Sequence, residues 1–334
     1  MPLIGTFVLT HTLFTLLMIR AKRAPFCHNQ VMPLRPHYPL LATLLLAASA
    51  HAQTLSGIVD LHAHSAPDQA ARSIDGIALA RLAQQRGLRA IVLKNHYEST
   101  ASLAVLAAEA APQLTVFGAI ALNRAVGGVN PAAVEHCVKT RGVTNSTSRC
   151  KIVWMPTFDS EHMARLAGTP EKPHVSVSRN GQLLPEVLTV LDLIARHRLV
   201  LATGHSSPAE DLLLIREATR RGIRHIIVTH PIHPQVGMTI EQARQAAALG
   251  AYIEFPANTM LGILKSTTFE EAARQMRAIG LDHVILTSDF GQAGNPLHPD
   301  GWLQAFEGLR RAGLTPAELD LLSKRNPARA IGLE

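Results

Sequence analysis

The sequence predicts a single (β/α)8 barrel of the TIM type. Three observations lead there: eight short apolar runs, helical patterns between them, and metal-binding residue types at the ends of five runs. Read as buried parallel strands, the runs extend from Ser56 to His64, Arg89 to His96, Thr115 to Leu122, Lys151 to Thr157, Arg198 to His205, Arg224 to His230, Ala251 to Phe255 and His283 to Asp289. Their β-branched content and their Gly or polar boundaries suit strands covered on both faces. The stretches between are helical in pattern, as in Ile77 to Ala83 and Asp211 to Ala218. Gly87, Gly222, Gly250 and Gly280 stand where a left-handed C-cap would end each helix. The C-terminal ends of barrel strands carry the chemistry. Here those ends carry His62 and His64, Lys94 and His96, His205, His230 and Asp289.

The front of the chain reads differently. Arg35 and His37 precede an apolar run from Leu40 to Ala48, followed by Ala50-His51-Ala52, a small-x-small cleavage pattern. Residues 1–52 therefore read as a leader with a secretory signal cut before Gln53, and residues 53–334 as the barrel. Met1 to Ile19 is apolar enough for an anchor, but Met32 alone gives a signal of ordinary length and is the expected start. The run from Leu40 to Ala48 is too short to span a bilayer. The expectation is a periplasmic or secreted protein without a membrane partner once the signal is removed.

The net charge of +7 owes much to that leader, which holds four basic residues and no acidic one; 28 basic and 25 acidic side chains remain, or +3. Aromatics make up 4% and no basic stripe is interleaved with them, so nothing supports a nucleic-acid partner. Beyond the leader two cysteines remain, Cys137 and Cys150. They could close a short loop at the bottom of the barrel, worth on the order of 3 kcal/mol in the chain-entropy picture. Two free thiols are the alternative.

A lone histidine on an apolar face is most often a satisfied polar group. Joint placement carries more weight: of the 13 histidines beyond the leader, His62, His64, His96, His205 and His230 all finish strands. Imidazoles gathered with a carboxylate suit a divalent metal, Zn²⁺ first, with Mn or Fe as alternatives. In an extended strand His62 and His64 point the same way, about 7 Å apart, and Lys94 and His96 alternate likewise. Asp60 is expected behind the site, bonding backbone or the His62 ring. Glu254 is either a substrate contact or the partner of an interior base. Arg124 and Arg179 are candidates for holding an anionic substrate group. His233 is expected to be a loop residue, with a metal ligand as the alternative; the remaining histidines, His298 among them, are expected to be solvated, and Trp302 to be core or an oligomer contact. Asn180-Gly181 between apolar residues predicts a hairpin, either a lid over the site or an inert insertion.

These residues resemble the amidohydrolase superfamily over about residues 56–334, through the His-x-His of strand one, His205, His230, Asp289 and the closing Asn326-Pro327-Ala328. More narrowly, Val59 to Asp68, Leu93 to Thr100, Thr203-Gly204-His205 and Ser288 to Gln292 look like an uncharacterised branch of it. The resemblance implies a small-molecule substrate and a metal-activated water attacking an amide, ester or lactone. It implies a metal held by His62, His64, His205 and Asp289, with His96 an additional candidate ligand. Asp289 would accept the water's proton, His230 would bind metal or polarise the scissile carbonyl, and Lys94 would stabilise the oxyanion. The chain departs from the dinuclear members at strand four. Where they place a Lys or Glu it has Trp154-Met155-Pro156-Thr157. One tightly held metal, with a weaker second drawing on Lys94 or His96, is expected.

Two rivals stand beside this reading. Asp60-Leu61-His62-Ala63-His64-Ser65 and the strand ending at His96 are also similar to PHP-type phosphoesterases, but Asp289-Phe290-Gly291 lacks the histidine that pattern needs two residues on. The other is an exported metal- or ligand-binding barrel without turnover.

Overall fold

Eight parallel strands alternate with helices in the computed structural model, which describes residues 55–143 and 147–333. The leader, its cleavage site and the Met32 start lie outside the described residues. The barrel strands are β1 (Val59–Ala63), β2 (Ala90–Leu93), β3 (Thr115–Ala121), β4 (Cys150–Trp154), β5 (Val200–Ala202), β6 (Ile226–Val228), β7 (Tyr252–Pro256) and β8 (Val284–Thr287). They pair in chain order. The ring closes where the Asp289 N–H donates to the His62 carbonyl at 2.8 Å and the His64 N–H to the Phe290 carbonyl at 2.9 Å. Each predicted run overlaps its strand, with β4 beginning one residue early at Cys150 and β7 running one residue past Phe255 to Pro256, and most strands are shorter than their runs because regular pairing stops before the residues that turn into the mouth.

Local chemistry sets the helix ends. The Asp75 carboxylate accepts from the Ile77 and Ala78 N–H groups at the start of Gly76–Gln85, and Ser207 with Glu210 forms a capping box for Pro208–Arg220. Gly87, Gly222 and Gly250 have φ of 80°, 79° and 92°, as helix ends demand. Gly280 differs. At φ 109°, ψ 115° it is not left-handed helical, because a 3₁₀ turn, Leu281–His283, follows at once.

Inside the barrel, Leu61, Val92, Ala121, Trp154, Ala202 and Ile285 belong to one apolar cluster, which Ala328, Ala330 and Ile331 join. Asn326 Nδ2 donates to the Leu281 and Val284 carbonyls at 2.7 Å each, fixing this C-terminal segment near the start of β8. A disulfide joins Cys137, in the helix Pro131–Lys139, to Cys150, the first residue of β4, far from the strands' C-terminal ends. The hairpin forms as predicted, with Ser178–Arg179 pairing antiparallel to Gln182–Leu183 around Asn180 (φ 51°) and Gly181 (φ 74°). Among the described residues no helix is long and apolar enough to cross a membrane.

Candidate metal centre

The interior alternation delivers the site. Ala90 and Val92 face the interior, so period two carries Lys94 and His96 to the same side. β1 needs one adjustment. Its register with β2 shifts between Asp60 and Ala63, which lets Leu61 pack in the interior cluster and His62 still turn inward against Trp154, ring centroids 5.6 Å apart.

His62, His64 and Asp289, all buried, bring one ligand atom each within 4.8 Å of one another. His64 Nε2 lies 3.0 Å from Asp289 Oδ1 and His62 Nε2 lies 3.3 Å from it. His205 and His230 face the same cavity, ring centroids 4.9 Å apart, but stand outside that close group among the described residues.

The partners behind these ligands decide which nitrogen is free. Glu254 Oε1 lies 2.9 Å from His62 Nδ1 and accepts from the Thr287 hydroxyl at 2.8 Å, while Oε2 accepts from the His230 N–H at 3.0 Å. A carboxylate can only accept, so His62 carries its proton on Nδ1 and turns the Nε2 lone pair toward Asp289. Two acceptors facing each other at 3.3 Å repel unless a cation or proton stands between them. Among the described residues, His62 Nε2, His64 Nδ1, His205 Nδ1 and His230 Nδ1 are also buried without a hydrogen-bond partner. This donor set fits a divalent metal.

Electrostatics point the same way. Burial pushes His64, His96 and His205 well below the usual histidine range and His230 down to about 4, leaving neutral imidazoles. Burial works to raise the Asp289 carboxyl, but electrostatic attraction from the neighbouring histidines, His62 first, and the His64 bond overcome it and hold the group well below the ordinary range. Burial also brings Lys94 down to about 7, against the pull of Asp289 and Glu254.

Two backbone outliers shape the mouth. His230 (φ 27°) and Asp289 (φ 49°) both lie in the left-handed region that non-glycine residues avoid. Glu254 fixes the first through its N–H. Asn258 Nδ2, donating to the Asp289 carbonyl at 2.9 Å, fixes the second.

The Asp60 carboxylate accepts from the Ser288 N–H at 3.0 Å and from Trp302 Nε1 at 3.1 Å, so it ties β1 to the outer helix instead of reaching the His62 ring. Burial raises its carboxyl and those bonds offset part of the rise. His96 has Lys94 Nζ at 3.2 Å and the Thr157 hydroxyl at 2.9 Å from its Nδ1, and its ring packs on Phe158 at 4.4 Å. Trp154 fills the strand-four position, with Lys94 Nζ 5.7 Å from its ring. Three expectations need correction. Arg124 is exposed on a 3₁₀ turn and does not line the cavity, since that turn faces solvent. The hairpin borders a separate surface cavity with Glu161 and Ser207, so it is no lid over the histidines. His298 is buried against Phe290, not solvated.

The cavity holds about 350 Å³ and is walled by the histidines and Asp289, by Phe158, Tyr97 and Leu264, and by Asp68 and Arg72 from the loop after β1. Sequence reasoning missed Arg72, Phe158 and Asn258 as contributors. All three lie beyond strand ends, where no periodicity marks them.

A family model described as a family of unknown function (DUF6282) matches residues 57–254. No curated protein matches. Among solved structures, an organophosphorus hydrolase from Deinococcus radiodurans is 18% identical, covering 83% of this chain and 92% of its own, with a TM-score of 0.53. A phosphotriesterase homology protein from Escherichia coli, complexed with phosphate in its active site, is 14% identical over 82% of this chain and 98% of its own, with a TM-score of 0.55. A lactonase from Listeria monocytogenes is 12% identical over 83% and 96%, with a TM-score of 0.52. At these identities the likeness is one of fold.

Proposed function

The chain belongs to the family of unknown function DUF6282, and from that premise we propose a metal-dependent hydrolase of the amidohydrolase type, acting on a small molecule. The observation that carries this is the approach of His62, His64 and Asp289 within 4.8 Å, with the free His62 nitrogen fixed by Glu254. A cavity of about 350 Å³ suits a small ligand. The solved structures of like fold include hydrolases of organophosphates and lactones. Amides, esters, lactones and phosphotriesters are therefore the substrates to screen.

His62, His64 and Asp289 would hold the ion, with His205 and His230 across the cavity completing its surroundings. A bound divalent ion lowers the pKa of water toward neutrality and polarises a carbonyl or phosphoryl oxygen. Asp289, whose neighbours hold its carboxyl well below the ordinary range, would take up the attacking water's proton at its carboxylate and return it to the leaving group. Lys94 faces the cavity, where it can donate to an oxygen that gains negative charge. Phe158 and Leu264 form an apolar part of the cavity wall.

The PHP-type reading gains nothing from these likenesses. Gly291 has φ 120° and a Cβ there would lie 2.1 Å from the His64 carbonyl, so a histidine at that position would not fit. Export to an oxidising compartment, periplasmic or extracellular, is part of the proposal and is supported by the Cys137–Cys150 disulfide.

The decisive measurement is the metal content of the purified protein by mass spectrometry, beside a His62→Ala/His64→Ala variant. One ion per chain that is lost in the variant is expected. No ion after reconstitution with zinc or manganese would overturn the proposal and leave a binding barrel without metal chemistry.

A further inference from the structure

Resting on that reading and extending it to the substrate, we infer that the cavity takes a molecule bearing a carboxylate, held by Arg72. The Arg72 side chain is only 4% exposed, yet it lines the cavity. Its Nε donates to Asp68 Oδ2 at 2.7 Å and its Nη2 donates to the same oxygen. Asp68 Oδ1 is taken by the Gln69 N–H at 2.7 Å. No hydrogen bond involves Nη1 among the described residues, so Asp68 fixes one side of the guanidinium and leaves the other without a protein partner. A planar guanidinium edge matches a carboxylate, which can take two parallel N–H groups.

The loop that carries Arg72 is held firmly. Asn95 Nδ2 donates to the Ser65 and Pro67 carbonyls at 3.1 and 2.8 Å, and the Ser73 N–H donates to the Gly291 carbonyl at 2.9 Å. Arg72 itself forms an antiparallel bridge with Gln292, three residues past Asp289. The guanidinium therefore stands in a pre-set position beside the end of β8, where little ordering cost remains at binding. It is the one guanidinium lining the cavity among the described residues, and Phe158, Tyr97 and Leu264 supply an apolar wall. A carboxylate on Arg72 would turn the remainder of the substrate toward the histidines.

Two probes of one size test this: the monohydroxamate of succinamide, which is neutral apart from its metal-binding group, and the monohydroxamate of succinate, which has a carboxylate in place of the amide. Their dissociation constants are measured by calorimetry on the zinc-reconstituted protein, the Asp68→Asn/Arg72→Gln variant and Arg72→Lys. Wild type should bind the carboxylate probe roughly 10- to 100-fold more tightly, the scale of a charge-assisted hydrogen bond. The ratio should fall to near one in the double variant and lie between in Arg72→Lys, which keeps charge but loses the fork. A variant with damaged folding or metal binding weakens both probes alike, so the ratio still reports on Arg72. Equal binding of both probes by wild type would overturn the inference while leaving the hydrolase reading standing. Binding of the carboxylate probe alone, without zinc and lost in the double variant, would keep Arg72 as a carboxylate site and overturn the hydrolase reading. Binding of neither would overturn both.

Discussion

Replacing Glu254 by Gln should weaken metal binding while leaving every proposed ligand in place. Glu254 accepts three hydrogen bonds inside the barrel, two on Oε1 from His62 and Thr287 and one on Oε2 from the His230 N–H. Glutamine has one carbonyl oxygen and one donor group, so it cannot accept on both sides. In its better orientation the oxygen keeps His62 and Thr287, and the amide then faces the His230 N–H, two donors with no acceptor. In the other orientation His62 loses the partner that holds its proton on Nδ1, and Nε2 is no longer reserved for a metal. Loss of such an outer partner typically costs 10- to 100-fold in metal affinity, or about 1.4–2.7 kcal/mol. The assay is competition for zinc against a chromophoric chelator, on wild type and Glu254→Gln side by side. A variant affinity within about twofold of wild type would refute the reasoning, because it would mean that the tautomer of His62 does not govern the site.

Three further outcomes follow from the same structure. Asp211 is fully buried, and burial raises its carboxyl well above the usual range while the Thr203 side chain offsets only part. A raised folded pKa means that its contribution is most favourable below the unfolded value and is lost as pH climbs through the folded one. Asp211→Asn should therefore stabilise the protein by roughly 1–3 kcal/mol at neutral pH and by less near pH 4, as urea titrations at the two pH values would measure. Lys94, brought down to about 7 by burial, gives the mirror case. Its cost to the fold is greatest below that value and fades as pH rises toward the ordinary lysine range, so Lys94→Met should raise the melting temperature of the metal-free protein most at pH 6 and least at pH 9. Cys137→Ser/Cys150→Ser removes a cross-link spanning 13 positions and should cost about 3 kcal/mol in urea unfolding.

The barrel was legible because its signals are local and repeated. Buried strands have to be apolar, helices have to end, and both leave marks within ten residues, so each of the eight runs overlaps an observed strand to within one residue at either end of the strand. The inward residues of the site were legible for the same reason: period two carries Lys94 and His96 beyond Val92. Sequence could not reach pairings across the barrel. Glu254 and His62 are 192 positions apart, and nothing in either segment says that one holds the proton of the other. Arg124 and Arg72 illustrate the same limit, since a loop arginine's direction depends on the path of its loop, which at Arg72 is fixed by the bridge to Gln292 on the other side of the ring closure.

The two left-handed residues explain why the pairings across the barrel matter for more than orientation. His230 and Asp289 each occupy a backbone region that costs on the order of 1–3 kcal/mol for a non-glycine residue. That cost is tolerable only where surrounding bonds over-determine the bend. Glu254 meets this need at β6 by accepting from the His230 N–H, and Asn258 meets it at β8 by donating to the Asp289 carbonyl. Glu254 thus sets both the His62 tautomer and the bend that aims His230. A loss of metal affinity in Glu254→Gln should therefore come with reduced stability of the metal-free barrel, since the same carboxylate holds both.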